Sequence, residues 1–481
     1  MPREEISVMA DEDLFFKTAV ELSRLLKVRA VSSRDLAQAF LDRLARLGHR
    51  YNALAEVTRP LALEQARRAD RHLRRGKAPS PLYGIPYGAK DLLATKNILT
   101  RWGSPAHAQQ IFDYDATAIR QLAGAGAVLV GKLAMVELAG GGGYEYANAS
   151  LHGPGLNPWN LNHWSGGSSS GSGSAVAAGL VPYALGSETW GSIITPSAYC
   201  GITGLRPTAG LVSRYGAMEL SWSMDKVGPM ARSAEDCGWV LQTIAGADAA
   251  DPSTSARGFA FAPRVSRRGF RLGVLPTDFD AAPEIAKTFE EALRVLRRAG
   301  MKTSRAPLAQ HSFEETARTI LNAEMAAAHE ELIRSARLDA LVDSGQKDGL
   351  RQSLEVKGTD LARAQRWRDE ITRNLLRLFD QFDALISPSL MTEAVTLTTN
   401  LKSTFRRRGG YSVLGALSGV PALSVPMGFG PQRLPLGLSI TGDLYAENTI
   451  LQIGMIFQRE TDWHRRRPPA LPARPAEGPP A

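Results

Sequence analysis

The sequence predicts an α/β fold, and three observations carry that prediction. From Leu82 onward, short apolar runs alternate with helix-length amphipathic segments; turn residues separate them; and several runs, such as Ala127-Val128-Leu129-Val130-Gly131, are apolar throughout, as a strand covered on both faces would be. The chain has 481 residues, 44% of them hydrophobic, enough for one large core.

The opening reads as helical hairpins. Ser32-Ser33-Arg34-Asp35 forms a capping box, after which Leu36, Phe40, Leu41, Leu44 and Leu47 recur at helix spacing up to Gly48. A second helix runs from about Leu61 to Arg75 and stops at Gly76. Ile119 to Ala123 reads as helix, and 127–131 as a buried strand. Between Gly140 and Gly216 glycine and serine are dense, yet Val176, Leu180, Val181 and Leu185 are interspersed, so this is the tightly packed heart of the fold and not a linker. A Pro-, Ser- and Arg-rich connection, Asp251 to Arg268, leads to a strand at 270–275 and a long helix from Pro283 to Arg298. Helices dominate to Phe382; strands follow at 383–388, 422–426 and 438–440, then a closing helix at 447–457. The expected organisation is a single domain over 1–465, made of N-terminal helices (10–76), a glycine- and serine-rich core (82–246) and a C-terminal α/β part with a helical insertion (269–465), followed by a mobile Pro-rich tail (466–481).

The net charge of +9 raises the question of a polyanionic partner. The basic residues are scattered, however, and in Glu64 to Arg75 they alternate with acids as on a solvated helix face, so no nucleic-acid surface is expected. Met1 to Asp13 is charged and unlike a signal peptide, and no apolar run nears the roughly 18 residues of a membrane span. The expectation is a cytoplasmic protein with no membrane contact. Cys200 and Cys237 are expected as reduced core thiols.

The chemistry resides in three segments. Ser165-Gly166-Gly167-Ser168-Ser169-Ser170-Gly171 and Gly186-Ser187-Glu188-Thr189-Trp190-Gly191-Ser192 set two serines in glycine-flanked turns, suggesting a nucleophile and a relay. Upstream stands Gly84-Ile85-Pro86-Tyr87-Gly88-Ala89-Lys90-Asp91. A phosphate-cradling reading of the glycines fails because no lysine follows them at the required spacing. Eight histidines offer no paired metal-ligand spacing; His152 and His163 near the serine loop read as structural.

In order and spacing the three segments resemble the amidase signature family of serine hydrolases, which attack carboxamides with a Ser-Ser-Lys triad. The match continues through Ala198 to Thr208 and Val212 to Gly216, with later landmarks at Phe382 to Pro388 and Gly419 to Pro426. The resemblance implies a mixed central β-sheet flanked by α-helices on both sides, with Ser192 as nucleophile, Ser168 as relay and Lys90 as base. It implies a cis peptide between Gly167 and Ser168, a supporting role for Gly167 and for Ser169 beside Lys90, and an oxyanion hole of the backbone amides of Thr189, Trp190, Gly191 and Ser192. It calls for no cofactor and no metal. A lysine can act as base only when neutral, and burial in an apolar pocket lowers its pKa by as much as ~3–5 units. Glu188 is expected to brace the oxyanion turn through hydrogen bonds.

Two departures from the family pattern bear on substrate. Trp190 replaces a glycine and would wall the acyl pocket, with Trp222 and Met218 as neighbours, pointing to an apolar or aryl amide. Ile194 replaces an arginine, which argues against a substrate carboxylate held there. The expected partner is a small-molecule amide, with a homodimer left open. The rivals are the ammonia-channelling A component of a glutamyl-tRNA amidotransferase, an esterase, and an inactive binding protein of the same fold.

Overall fold

The computed structural model describes residues 12–76, 80–265, 269–277, 282–309, 311–408 and 411–471. Its strands are β1 (Leu54–Val57), β2 (Pro86–Lys90), β3 (Val128–Leu133), β4 (Leu156–Asn157), β5 (Asn160–Trp164), β6 (Tyr183–Glu188), β7 (Thr203–Arg206), β8 (Lys226–Ala231), β9 (Arg271–Val274), β10 (Lys302–Arg305), β11 (Ala384–Pro388), β12 (Ala422–Phe429) and β13 (Pro435–Thr441). Eleven of them form one mixed sheet in the order β1-β3-β2-β6-β8-β7-β12-β13-β11-β9-β10, while β4 and β5 pair separately. The pairs β3/β2, β2/β6, β11/β9 and β9/β10 are parallel; the other six are antiparallel.

Alternation along the strands feeds two cores, one on each face. In β3, Leu129 joins one core and its neighbours Val128 and Val130 the other; in β6, Tyr183 and Leu185 part from Ala184 in the same way. Helices Ser33–Leu47, Arg59–Arg74 and Ser170–Ala177 supply Leu41, Leu44, Ala62, Ala66 and Val176 to the second core. Helices Ala234–Ile244, Pro283–Arg298 and Glu447–Glu460 supply Leu241, Leu293 and Ile450 to the first. The mixed sheet flanked by helices is therefore the one the resemblance implied.

The Ser32 capping box is present: Ser32 Oγ accepts from Asp35 N at 3.1 Å, and the Asp35 carboxylate accepts from Ser32 N at 3.2 Å. The N-terminal segment is not wholly helical, because β1 interrupts it as an edge strand paired to β3. Helix Ser170–Ala177 is buried along its whole length, with close backbone approaches that only small residues permit: a Cβ at Gly171 would lie 2.5 Å from the carbonyl oxygens of Ala53 and Ala134. Two residues of the expected tail make contacts with the rest of the chain. Arg467 pairs with Asp13 at 2.5 Å, Arg466 with Asp462 at 2.8 Å, and Arg232 donates to the Arg466 carbonyl at 3.2 Å. The rest of the expected tail, 472–481, lies outside the described residues, as do 266–268 of the connection.

Candidate active site

Because β2 and β6 are parallel neighbours, their carboxyl ends lie at the same edge of the sheet, where loops converge. Lys90 ends β2 and Glu188 ends β6. The Lys90 side chain is fully buried, and Nζ lies 2.8 Å from Ser168 Oγ, 3.0 Å from Ser187 Oγ and 3.4 Å from the Ser187 carbonyl. Among the described residues no carboxylate pairs with it. Burial brings its pKa down from 10.5 to about 7, against the opposing pull of Asp225 and Glu188.

The loop before helix Ser170–Ala177 carries Ser168 to this amine, and the Gly167-Ser168 peptide is cis. Ser169 Oγ donates to the Ser187 carbonyl at 3.1 Å and accepts from Ser187 N at 3.3 Å. Ser169 thus braces the residue that braces Lys90. Ser169 N donates to the Ser192 carbonyl at 3.3 Å, which joins the two serine turns. Ser192 is 8% exposed and Ser168 1%. No hydrogen bond joins their hydroxyls among the described residues.

The turn from Thr189 to Ser192 has the form of an anion nest. Among the described residues the amide N–H groups of Thr189, Trp190, Gly191 and Ser192 have no acceptor, whereas those of Ile193 and Ile194 both donate to Glu188 Oε2, at 2.8 and 2.9 Å. The other Glu188 oxygen takes Arg206 Nη1 at 2.7 Å in an ion pair with both side chains at most 1% exposed. Burial raises the Glu188 pKa, but Arg206 and the two amides outweigh it, so the carboxyl stays below its usual range. Trp190 takes the glycine position without left-handed backbone; the positive φ, +86°, falls on Gly191. Thr189 Oγ1 donates to the buried Asp225 carboxylate, which also accepts from Leu220 N at 2.8 Å and Ser221 N at 3.0 Å.

The expected pocket residues part company. Trp190 is half-buried against a cluster that includes Met224 from the loop before β8, Ala317 and Ile320 of the helical insertion and Leu417 of helix Ser412–Ser418. Met218 lines a small cavity with Thr189, Leu220 and Asp225 behind the turn. Trp222 is 44% exposed. His163 Nε2 lies 3.2 Å from Gln432 Oε1, and burial takes His152 down to about 4. Ser187 was missed by sequence reasoning, since only the pairing of β6 with β2 brings it to Lys90. Cys200 and Cys237 are buried and unpaired.

A buried lysine bonded to a serine, beside a second serine whose turn offers free amides, defines a class of site suited to acyl transfer at serine. The comparisons with known proteins agree. The Amidase family model matches residues 35–451. The A component of the glutamyl-tRNA(Gln) amidotransferase of Chromohalobacter salexigens is 35% identical over 94% of this chain and 98% of its own length. The crystal structure of peptide amidase from Stenotrophomonas maltophilia superposes with a TM-score of 0.84 at 32% identity, covering 94% of this chain and 98% of that one. A bacterial aryl acylamidase shares the fold, with a TM-score of 0.84 at 23% identity. The chain belongs to the amidase family, and it is a hydrolase acting on amides.

Proposed function

We propose that the protein cleaves a carboxamide C–N bond through an acyl-Ser192 intermediate, with Lys90, Ser168 and Ser192 as its triad. The observation that carries this reading is the 2.8 Å contact from a fully buried Lys90 Nζ, with its pKa near 7, to Ser168 Oγ. Ser192 Oγ attacks the carbonyl carbon; its proton passes to Ser168, and the Ser168 proton passes to neutral Lys90. The oxyanion is met by the free amides of Thr189, Trp190, Gly191 and Ser192. On collapse the C–N bond breaks and the leaving nitrogen takes a proton through Ser168 from charged Lys90. Water then attacks the acyl group with the same groups acting in reverse, releasing the acid. Gly167 and Ser169 hold the serine loop in register. No cofactor or metal enters these steps.

The half-buried Trp190 indole, set among Ala317, Ile320 and Leu417, supports an apolar or aryl amide over a small polar one. A second reading, the ammonia-releasing A component of a glutamyl-tRNA amidotransferase, is favoured by the 35% identity to such a protein. Ile194, apolar and 2% exposed, counts against it where that reading needs a cation. We place the enzyme in the cytoplasm as one domain over 1–465; among the described residues no helix is long and apolar enough to cross a membrane. The test is hydrolysis of glutamine, aliphatic amides, aryl amides and p-nitrophenyl esters by the purified protein, with Ser192→Ala and Lys90→Ala as controls. Aryl amides should be cleaved, and the controls should be inactive. Glutamine as sole substrate, with activity only beside a partner protein, would establish the second reading; ester cleavage alone would make it an esterase.

A further inference from the structure

Two hydroxyls stand beside the oxyanion turn without partners. A Cβ on Gly191 would lie 3.1 Å from Thr195 Oγ1 and 3.3 Å from Ser412 Oγ, so both oxygens flank the glycine of the turn. Among the described residues neither hydroxyl has a hydrogen-bond partner. Ser412 is half-buried, and Thr195 is 7% exposed, close to the 8% of the nucleophile Ser192. Thr195 lies on the carbonyl side of Gly191, where its N–H donates to the Gly191 oxygen at 2.7 Å. Ser412 is brought in from a separate helix.

Three basic side chains hold Ser412 in that place. Arg206 Nη1 donates to the Ser412 carbonyl at 3.2 Å and to Glu188 Oε1 at 2.7 Å, while Nη2 donates to the Val420 carbonyl at 3.1 Å. This guanidinium ties the start and the exit of helix Ser412–Ser418 to the carboxylate that holds the Ile193 and Ile194 amides. Within the helix, Lys226 Nζ donates to the Gly415 carbonyl at 3.2 Å and Arg368 Nε to the Leu417 carbonyl at 2.6 Å. Gly415 lies against Arg206 so closely that a Cβ there would overlap the guanidinium. Val413, Ala416 and Leu417 join the cluster that takes the Trp190 indole. Ser412 and the oxyanion turn are thus parts of one braced wall, and the hydroxyl is held ready beside the amides.

Standard bond geometry sets a Cβ about 2.5 Å from the nitrogen of its own residue, so Ser412 Oγ lies within about 6 Å of the free Gly191 N–H. An oxygen seated between them, at about 2.9 Å from each, bonds to both. The neighbouring groups of the turn are N–H donors, so the Ser412 proton meets no acceptor there until a substrate oxygen arrives. We infer that Ser412 is a further catalytic residue, whose hydroxyl donates to the scissile carbonyl oxygen, beside the Gly191 amide, as negative charge forms on it. The inference rests on the amide-hydrolase reading above and adds a side chain to an oxyanion turn otherwise made of backbone.

The test measures kcat and KM for an anilide, together with inhibition by 3-phenylpropanal and by 3-phenylpropan-1-ol, for the intact enzyme and Ser412→Ala. Ser192 Oγ adds to the aldehyde carbon, its proton passes through Ser168 to Lys90, and the π electrons of the C=O bond settle on the oxygen in the turn; the alcohol binds without that step. Ser412→Ala should lower kcat about ten- to a hundredfold, as expected for one hydrogen bond to a charged oxygen, with KM held within about twofold. The aldehyde inhibition constant should rise by the same factor, and the alcohol constant should stay, which reports that the site keeps its shape. A kcat within about threefold of the intact enzyme, an unchanged aldehyde constant, or equal weakening of aldehyde and alcohol would overturn the inference. Absence of Ser192-dependent cleavage and of aldehyde inhibition in the unmodified enzyme would instead defeat the broader reading, and this inference with it.

Discussion

If Lys90 is the base, acidification should silence the enzyme over a narrow and computable range. A lysine of pKa 10.5 in water is neutral in only about three molecules in ten thousand at pH 7. With the value near 7 that burial gives Lys90, the neutral fraction is about 10% at pH 6, about half at pH 7 and about 90% at pH 8. Since the neutral amine is the active form, kcat/KM should rise about tenfold from pH 6 to pH 8 and level off above. The carboxylates facing Lys90, Asp225 first and Glu188 second, both raise its pKa, so Asp225→Asn should move the acid limb to lower pH. The assay is kcat/KM for an anilide across pH 5 to 9, with circular dichroism at each pH to exclude unfolding. A profile flat from 6 to 8, or a limb that Asp225→Asn moves upward, would refute an uncharged Lys90 as the base.

Other perturbations separate support from chemistry. Ser187→Ala removes the acceptor 3.0 Å from Lys90 Nζ and should cut kcat about tenfold, with the thermal midpoint little changed. Glu188→Gln leaves the buried Arg206 without its anion and should destabilise the fold by about 3–5 kcal/mol in a urea titration, with activity lost alongside. Gly191→Ala forces a Cβ into left-handed backbone, 3.1 Å from Thr195 Oγ1; it should cost about 1–2 kcal/mol of stability and lower kcat more than it raises KM, as a displaced oxyanion turn would.

The sequence carried unequal amounts of this information. Helix Pro283–Arg298 was legible end to end, because its proline start and apolar periodicity are both local. The strands β1 and β10 were not, since each has four residues and sits at a sheet edge, with mostly polar side chains in β10, so only pairing makes it a strand. The chemically marked residues Lys90, Ser168 and Ser192 stood out through their glycine-flanked segments, and the fold brings Lys90 to Ser168 across 78 positions. Ser187 escaped notice because its importance comes from the pairing of β6 with β2, which no local pattern announces. Trp222, expected as a neighbour of Trp190 at the pocket, is 44% exposed. Ser412 comes to the oxyanion turn from a helix far along the chain, which is why its place beside Gly191 becomes visible only in three dimensions.

The central claim is that Ser192 becomes acylated through Ser168 and an uncharged Lys90. It is tested most directly by quenching the enzyme with acid during turnover of a slow aryl amide and reading the mass of the peptide that contains residue 192. The account predicts an acyl adduct on Ser192 that is absent from Ser192→Ala and forms far more slowly in Lys90→Ala. An adduct on another residue, or an unchanged rate of acylation in Lys90→Ala, would contradict it.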